Sequence, residues 1–173
     1  HLVGEDLVTP LLLHGARDAD VAVVEGVMGL FDGRIGTGGF ASTAHVATLT
    51  SSPVVLVVDV SHTSRSVGAV VHGMATFDPA VEVAGVILNK AGSARHAAEA
   101  AGSVGLPVLG VLDRDTSFAT PSRHLGLVPA AERDEAEAEL DRLATRIAEQ
   151  VDLAELLRIA GTAPDLDAEP WDP

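Results

Sequence analysis

Four nearly continuous apolar runs, each ending in a polar side chain, constrain this chain more than any other feature. Residues 21–24 lead into Glu25, 54–58 into Asp59, 83–88 into Asn89 and 106–112 into Asp113. A strand with one face in water alternates apolar and polar residues. A strand that is apolar throughout is buried on both faces, as in a parallel sheet covered by helices. Between the runs, apolar residues recur at three- and four-residue spacing and predict helices over about 5–16, 43–50, 66–77, 93–102, 131–150 and 152–159. Pro10 fits the first turn of the first helix, where a missing N–H costs nothing. Ser42 is the expected N-cap of the second. Alternating strands and helices give an α/β fold: a three-layer, mostly parallel sheet with helices on both faces. A length of 173 residues suits one domain. The Pro- and Asp-rich tail from Gly161 onward is expected to be disordered or loosely packed.

Composition removes several classes of function. The net charge of −14 argues against a nucleic-acid surface, which needs clustered Lys and Arg. No apolar run approaches the roughly 20 residues that span a bilayer. With no cysteine there is no disulfide, thiolate metal site or Cys nucleophile, which is compatible with a cytoplasmic setting. His62, His72 and His96 lack zinc-type spacing, and no G-x-S-x-G elbow is present. Lys90 is the only lysine and follows an apolar run rather than a glycine loop, so the phosphate-gripping G-x-x-x-x-G-K-[ST] is absent. The chain opens at His1 rather than a methionine, and something upstream is expected.

Chemistry concentrates at the strand exits. Ligands of open α/β sheets bind beyond the carboxyl ends of the strands. Glu25 enters a loop with glycines at 26, 29, 33, 36, 38 and 39 and a second carboxylate, Asp32. Hard oxygen donors suit Mg²⁺, which keeps water and bridges substrate phosphates. Glu25 is the leading metal candidate, with Asp59 also a candidate ligand, and Asp32 is placed to help hold the metal or position substrate; Asp59 and Asp113 equally suit a helix cap or turn. Asn89 offers both a donor and an acceptor, which suits a purine edge. Asn89-Lys90-Ala91-Gly92 is similar to the guanine-reading NKxD but has Gly92 in place of its Asp.

Six stretches together resemble the cobyrinate (or hydrogenobyrinate) a,c-diamide synthases. They are EGVMGLFDG (25–33), ASTAHVA (41–47), PVVLVVDVS (53–61), FDP…VAGVILNKAGSARH (77–96), GLPVLGVLDRD (105–115) and PSRHLGLVPA (121–130), in the family's order across nearly the whole chain. The resemblance implies a P-loop NTPase fold of dethiobiotin-synthetase type, incomplete at the N-terminus. Residues 1–160 would be a partial ATP-binding synthetase domain, and 161–173 a tail or the start of a linker. It implies ATP and Mg²⁺, a corrin substrate, and a glutaminase domain supplying ammonia to acyl phosphates. A homo-oligomer is compatible with it. Glu25 would hold Mg²⁺ and Asp32 would act near the corrin carboxylate, with Ser42 and Thr43 on the substrate side. Asn89 would face adenine, with Pro121, Arg123 and His124 near the base. Ser122 stands where relatives often have Glu. The family's P-loop lysine and glutaminase Cys have no counterpart here, so the isolated chain is expected to be inactive. The alternatives are a non-catalytic module of degenerate P-loop fold kept for assembly or regulation, or a dethiobiotin-synthetase-like ligase.

Overall fold

A computed structural model of the chain describes residues 3–115 and 136–172. A 3₁₀ turn at Glu5–Leu7 leads into α1 (Val8–Gly15). Then follow α2 (Thr43–Leu49), β1 (Val54–Asp59), α3 (Ser66–Thr76), β2 (Val83–Ala91), α4 (Ala94–Ala101), β3 (Val108–Asp113), α5 (Ala136–Gln150) and α6 (Leu153–Ala160). The fold is α/β, a three-strand parallel sheet in the order β1-β2-β3 flanked by helices. Its described parts form two compact units, one from His1–Val55, His72–Ala84 and Ala154–Pro173, the other from Leu56–Val71 and Gly85–Leu153.

In the second unit β2 pairs with β3 in parallel, Val86 opposite Val108 and Leu88 opposite Val111, with irregular register after Leu88. Val60, Val67, Val71, Val86, Leu88, Ala91 and Ala100 make its buried core. Each such side chain removed from water stabilises the fold by about 1.5–3 kcal/mol, less for the alanines. The outer edge of β3 is closed by an antiparallel bridge from Gly110 to Val151 and by Asp152 N–H donating to Leu109 O at 2.7 Å. A capped edge cannot template a further strand.

In the first unit, the 3₁₀ turn and α1 pack together, and Thr9 Oγ1 donates to Leu49 O at the end of α2. The structure departs from the sequence pattern in two places. The run at 21–24 is not a strand: it has no ladder partner among the described residues, and Val23 and Val27 are 85% and 87% exposed. Apolar β-branched side chains favour a strand, but a strand exists only where a neighbour's backbone accepts and donates. The tail is not loose either. Trp171 N–H donates to Pro10 O at 2.9 Å, Trp171 O lies 2.8 Å from His14 Nδ1, and the two rings meet edge-on at 5.3 Å. Pro10 has no N–H, but its carbonyl is free to take the tail. The predicted helix starting at 131 is described only from Ala136 onward.

Two glycines of α3 separate a packing role from a propensity cost. A Cβ on Gly68 would collide with the Ser103 carbonyl, whereas one on Gly73 would meet open space. Gly68→Ala is expected to destabilise the chain by about 1–3 kcal/mol through overpacking. Gly73→Ala should stabilise it by about 0.5–1 kcal/mol. Denaturant unfolding of both variants checks the opposite signs.

Candidate functional site

The glycine-rich loop of the first unit is built around close backbone approach. Glu25 is exposed and unpaired among the described residues. Its neighbour Gly26 lies against Thr43, the first residue of α2. A Cβ there would come within 2.8 Å of Thr43 Oγ1. The missing side chain thus brings a hydroxyl beside the residue that follows the Glu25 carboxylate. Asp32 closes a turn, its N–H donating to Gly29 O at 2.9 Å, and its carboxylate folds back onto Gly29. Arg34 N–H to Phe40 O at 2.8 Å ties the loop, and Gly38 and Gly39 carry φ of +65° and +91°. Leu30 is the loop's buried anchor, and its carbonyl accepts from Ala44 N–H in the first turn of α2 at 2.8 Å.

Ser42 and Thr43 divide their work. Ser42 is buried and its Oγ accepts from His45 N–H at 3.1 Å, the expected N-cap. Thr43 is only half-buried.

The second unit carries a separate polar network at the exits of β1, β2 and β3. Asp59 Oδ2 accepts from Lys90 Nζ at 2.6 Å, and its Oδ1 accepts from Ser61 N–H at 2.9 Å. The lysine hydrogen bond, then those from Ser61, hold the Asp59 carboxyl well below the ordinary carboxylate range. Arg114 reaches back to donate to Ser61 O at 3.2 Å. Lys90 has φ of +65°, a conformation sequence reading missed and one that an L side chain adopts only under local constraint. It coincides with the register irregularity of β2. Asn89 is half-buried at the same tip, and its carbonyl accepts from Val60 N–H at 2.8 Å. Asp113 is engaged by Gln150, which both donates to its carboxylate and accepts from its N–H.

Pro121, Arg123 and His124 lie outside the described residues. No group of three or more His, Cys, Asp or Glu side chains able to hold a metal occurs among the described residues. Mg²⁺ needs no such cage, since one or two carboxylates plus water and phosphate suffice. Glu25 fits that requirement; the carboxylate of Asp59 already has two donors. Among the described residues no helix is long and apolar enough to cross a membrane.

The Asp59–Lys90 pair is roughly half exposed on both sides, so solvent screens it and its contribution stays within about 1 kcal/mol. A carboxyl depressed in the folded state stabilises above its unfolded pKa of about 3.9, and that contribution fades as pH falls below about 4. Asp59→Asn is therefore expected to lower stability by less than about 1 kcal/mol at neutral pH. The gap from the parent chain should close in acid or high salt. Urea unfolding at two pH values and two salt concentrations checks both.

No family model and no solved structure matches the chain. Among curated proteins it is 61% identical over 99% of its length to a hydrogenobyrinate a,c-diamide synthase of Thermobifida fusca, covering 37% of that protein. It is 54% identical over 99% of its length to the Streptomyces coelicolor protein of the same name, covering 36%. It is 43% identical over 98% of its length to a cobyrinate a,c-diamide synthase of Dehalococcoides mccartyi, again covering 37%. The chain thus spans a little over a third of the length of these relatives. Near-complete alignment at this identity extends through both the glycine-rich loop and the strand exits, and the chain belongs to the cobyrinate/hydrogenobyrinate a,c-diamide synthase family.

Proposed function

We propose that this chain is the acid-bearing part of an ATP-dependent amidase. The enzyme would convert the a and c carboxylates of cobyrinate or hydrogenobyrinate to amides in cobalamin biosynthesis. One observation carries the reading: the 61% identity across 99% of the chain to a relative of that name. It includes the loop in which Glu25 is left exposed beside Gly26 and Thr43.

The chemistry balances as two displacements. A corrin carboxylate oxygen attacks the terminal phosphorus of ATP, giving an acyl phosphate and ADP. Ammonia, released from glutamine by a glutaminase domain, then attacks the acyl carbon. Phosphate leaves with the electron pair of the broken C–O bond, and a proton is lost to give the amide. Mg²⁺ would supply neutralisation of the phosphate charge. Glu25 is the donor for that ion, since Asp59 is engaged by Lys90 and Ser61. Thr43 would meet the substrate directly while Ser42 holds the helix behind it. Asp32 would act at the corrin carboxylate, and Asn89 at the adenine edge.

The only lysine is tied to Asp59 and no glycine-loop lysine is present, so the isolated chain is taken to be inactive. In the full-length synthase that carries this segment, Glu25→Gln is expected to lower kcat by about 100-fold or more with the fold intact, the usual loss for a missing transition-state electrostatic contact. Near-parent turnover would remove Glu25 from the reaction. Calorimetric titration of the isolated chain with Mg·ATP is expected to give no binding. Micromolar affinity would instead favour a self-sufficient nucleotide-binding module.

A further inference from the structure

Two helices of this chain begin with the same device. Ser42 caps α2 and Ser93 caps α4, and in each case the serine Oγ accepts the N–H of a histidine three residues on, at 3.1 Å for His45 and 3.2 Å for His96. Each imidazole then reaches back past the cap. Ala41 N–H donates to His45 Nδ1 and Gly92 N–H donates to His96 Nδ1, both at 3.1 Å. In the familiar capping box a Glu or Gln plays this reciprocal part, returning to the cap residue itself. Here the ring bonds one residue earlier and therefore fixes the chain as it enters the helix.

The second ring nitrogen completes the assignment. A backbone N–H can only donate, so Nδ1 of each ring must present its lone pair, and a neutral ring then carries its hydrogen on Nε2. That nitrogen faces an acceptor in both boxes. His96 Nε2 is 2.6 Å from Thr63 O in the β1–α3 loop, and His45 Nε2 is 3.5 Å from Glu5 Oε1 in the 3₁₀ turn. Each histidine thus joins three pieces of chain: its own helix, the loop entering it and a distant segment. His45 holds Ala41, whose φ of +65° ends the glycine-rich loop two residues before Thr43. His96 joins Gly92, just beyond Asn89 and Lys90, to the loop that begins at Asp59.

We propose that His45 and His96 are neutral, Nε2-protonated positioning residues, and that protonating either ring opens its box. A proton on Nδ1 would set N–H against N–H and put positive charge at a helix N-terminus, where the helix dipole opposes it. Glu5 faces His45 and would partly offset that charge. Arg95 and Glu99 share with His96 an open cavity of about 430 Å³ lined also by Ser64 and Ser93, so opposite charges face that ring. Asp59, Lys90 and Arg114 bond to each other and to Ser61, not to the ring. The device extends the reading of the loop and strand exits as a site, but its test does not depend on amidase activity.

The test is NMR on the whole 173-residue chain. Long-range ¹H–¹⁵N spectra are expected to give the Nε2–H form for both rings at about pH 8. Amide protection at Ala41 and Gly92 should then fall at least about tenfold from about pH 8 to about pH 5, the span over which histidine charge changes. A Gln at N3 accepts a hydrogen bond but does not titrate, so His96→Gln should keep Gly92 protected across that span while Ala41 still loosens. An Nδ1–H signal at either ring, or wild-type protection that is flat with pH, would overturn the proposal. So would equal acid loosening of Gly92 in His96→Gln. The wild-type readings alone decide if the variant fails to fold. A failed Glu25→Gln prediction would leave these readings untouched.

Discussion

The sheet depends on β2 having a neighbour on each side. Its backbone is laddered to β1 and β3, and Val86 and Leu88 are fully buried. That double pairing sets the chain's other requirements. β3 has a free outer edge, which Val151 closes, and Gly110 is needed there because a Cβ would press on the Gln150 carbonyl and on Val151. Gly85 plays a matching part inside the sheet, where a Cβ would meet the side chain of Leu109 at 3.0 Å. The glycines in β2 and β3 thus trade local strand propensity for close approach, a loss that packing repays.

Most of the architecture was legible because the apolar runs of a parallel sheet leave a plain mark in composition, although only β2 is largely buried and β1 leaves Val57 64% exposed. The runs at 54–58, 83–88 and 106–112 became β1, β2 and β3 within a few residues, and Ser42 is the helix cap that was expected. The run at 21–24 has the same composition and failed as a strand. The difference lies in the partner, not in the residues: β-branched side chains describe what a strand would bury, while a ladder requires another backbone. Trp171 shows the converse. Its tail looked too polar to pack, yet one aromatic ring, one backbone hydrogen bond and one from the His14 side chain fix Trp171 to α1. A single anchor of this kind has no periodicity to betray it.

The candidate site was legible as a list of residue types and less so as a division of roles. Ser42 and Thr43 are adjacent and chemically alike, but one hydroxyl is spent on the backbone and the other lies against Gly26. Asp59 was the weaker metal candidate beside Glu25, an acid at the end of an apolar run that equally suited a cap or turn. The neighbouring strand gives it a lysine, whereas Glu25 keeps its carboxylate open among the described residues. The repeated Ser-x-x-His at 42–45 and 93–96 was visible in the sequence. Searching histidines for metal spacing passed over it, because its partner is a backbone N–H that no side-chain pattern can announce.

Lys90 joins these threads. It holds a left-handed backbone conformation inside a strand, which costs on the order of 1–2 kcal/mol. A half-exposed ion pair with Asp59 offsets no more than about half of that. The remainder must come from what the irregularity allows. Directly around it, Asn89 O accepts from Val60 N–H on one side and Ala91 O accepts from Arg114 N–H on the other, both at 2.8 Å. The bulge therefore lets β2 satisfy both neighbours at the point where all three strands end, beside the half-buried Asn89. Strain of this kind persists where surrounding structure over-determines it. The only lysine of the chain is thus committed to shaping the sheet's edge.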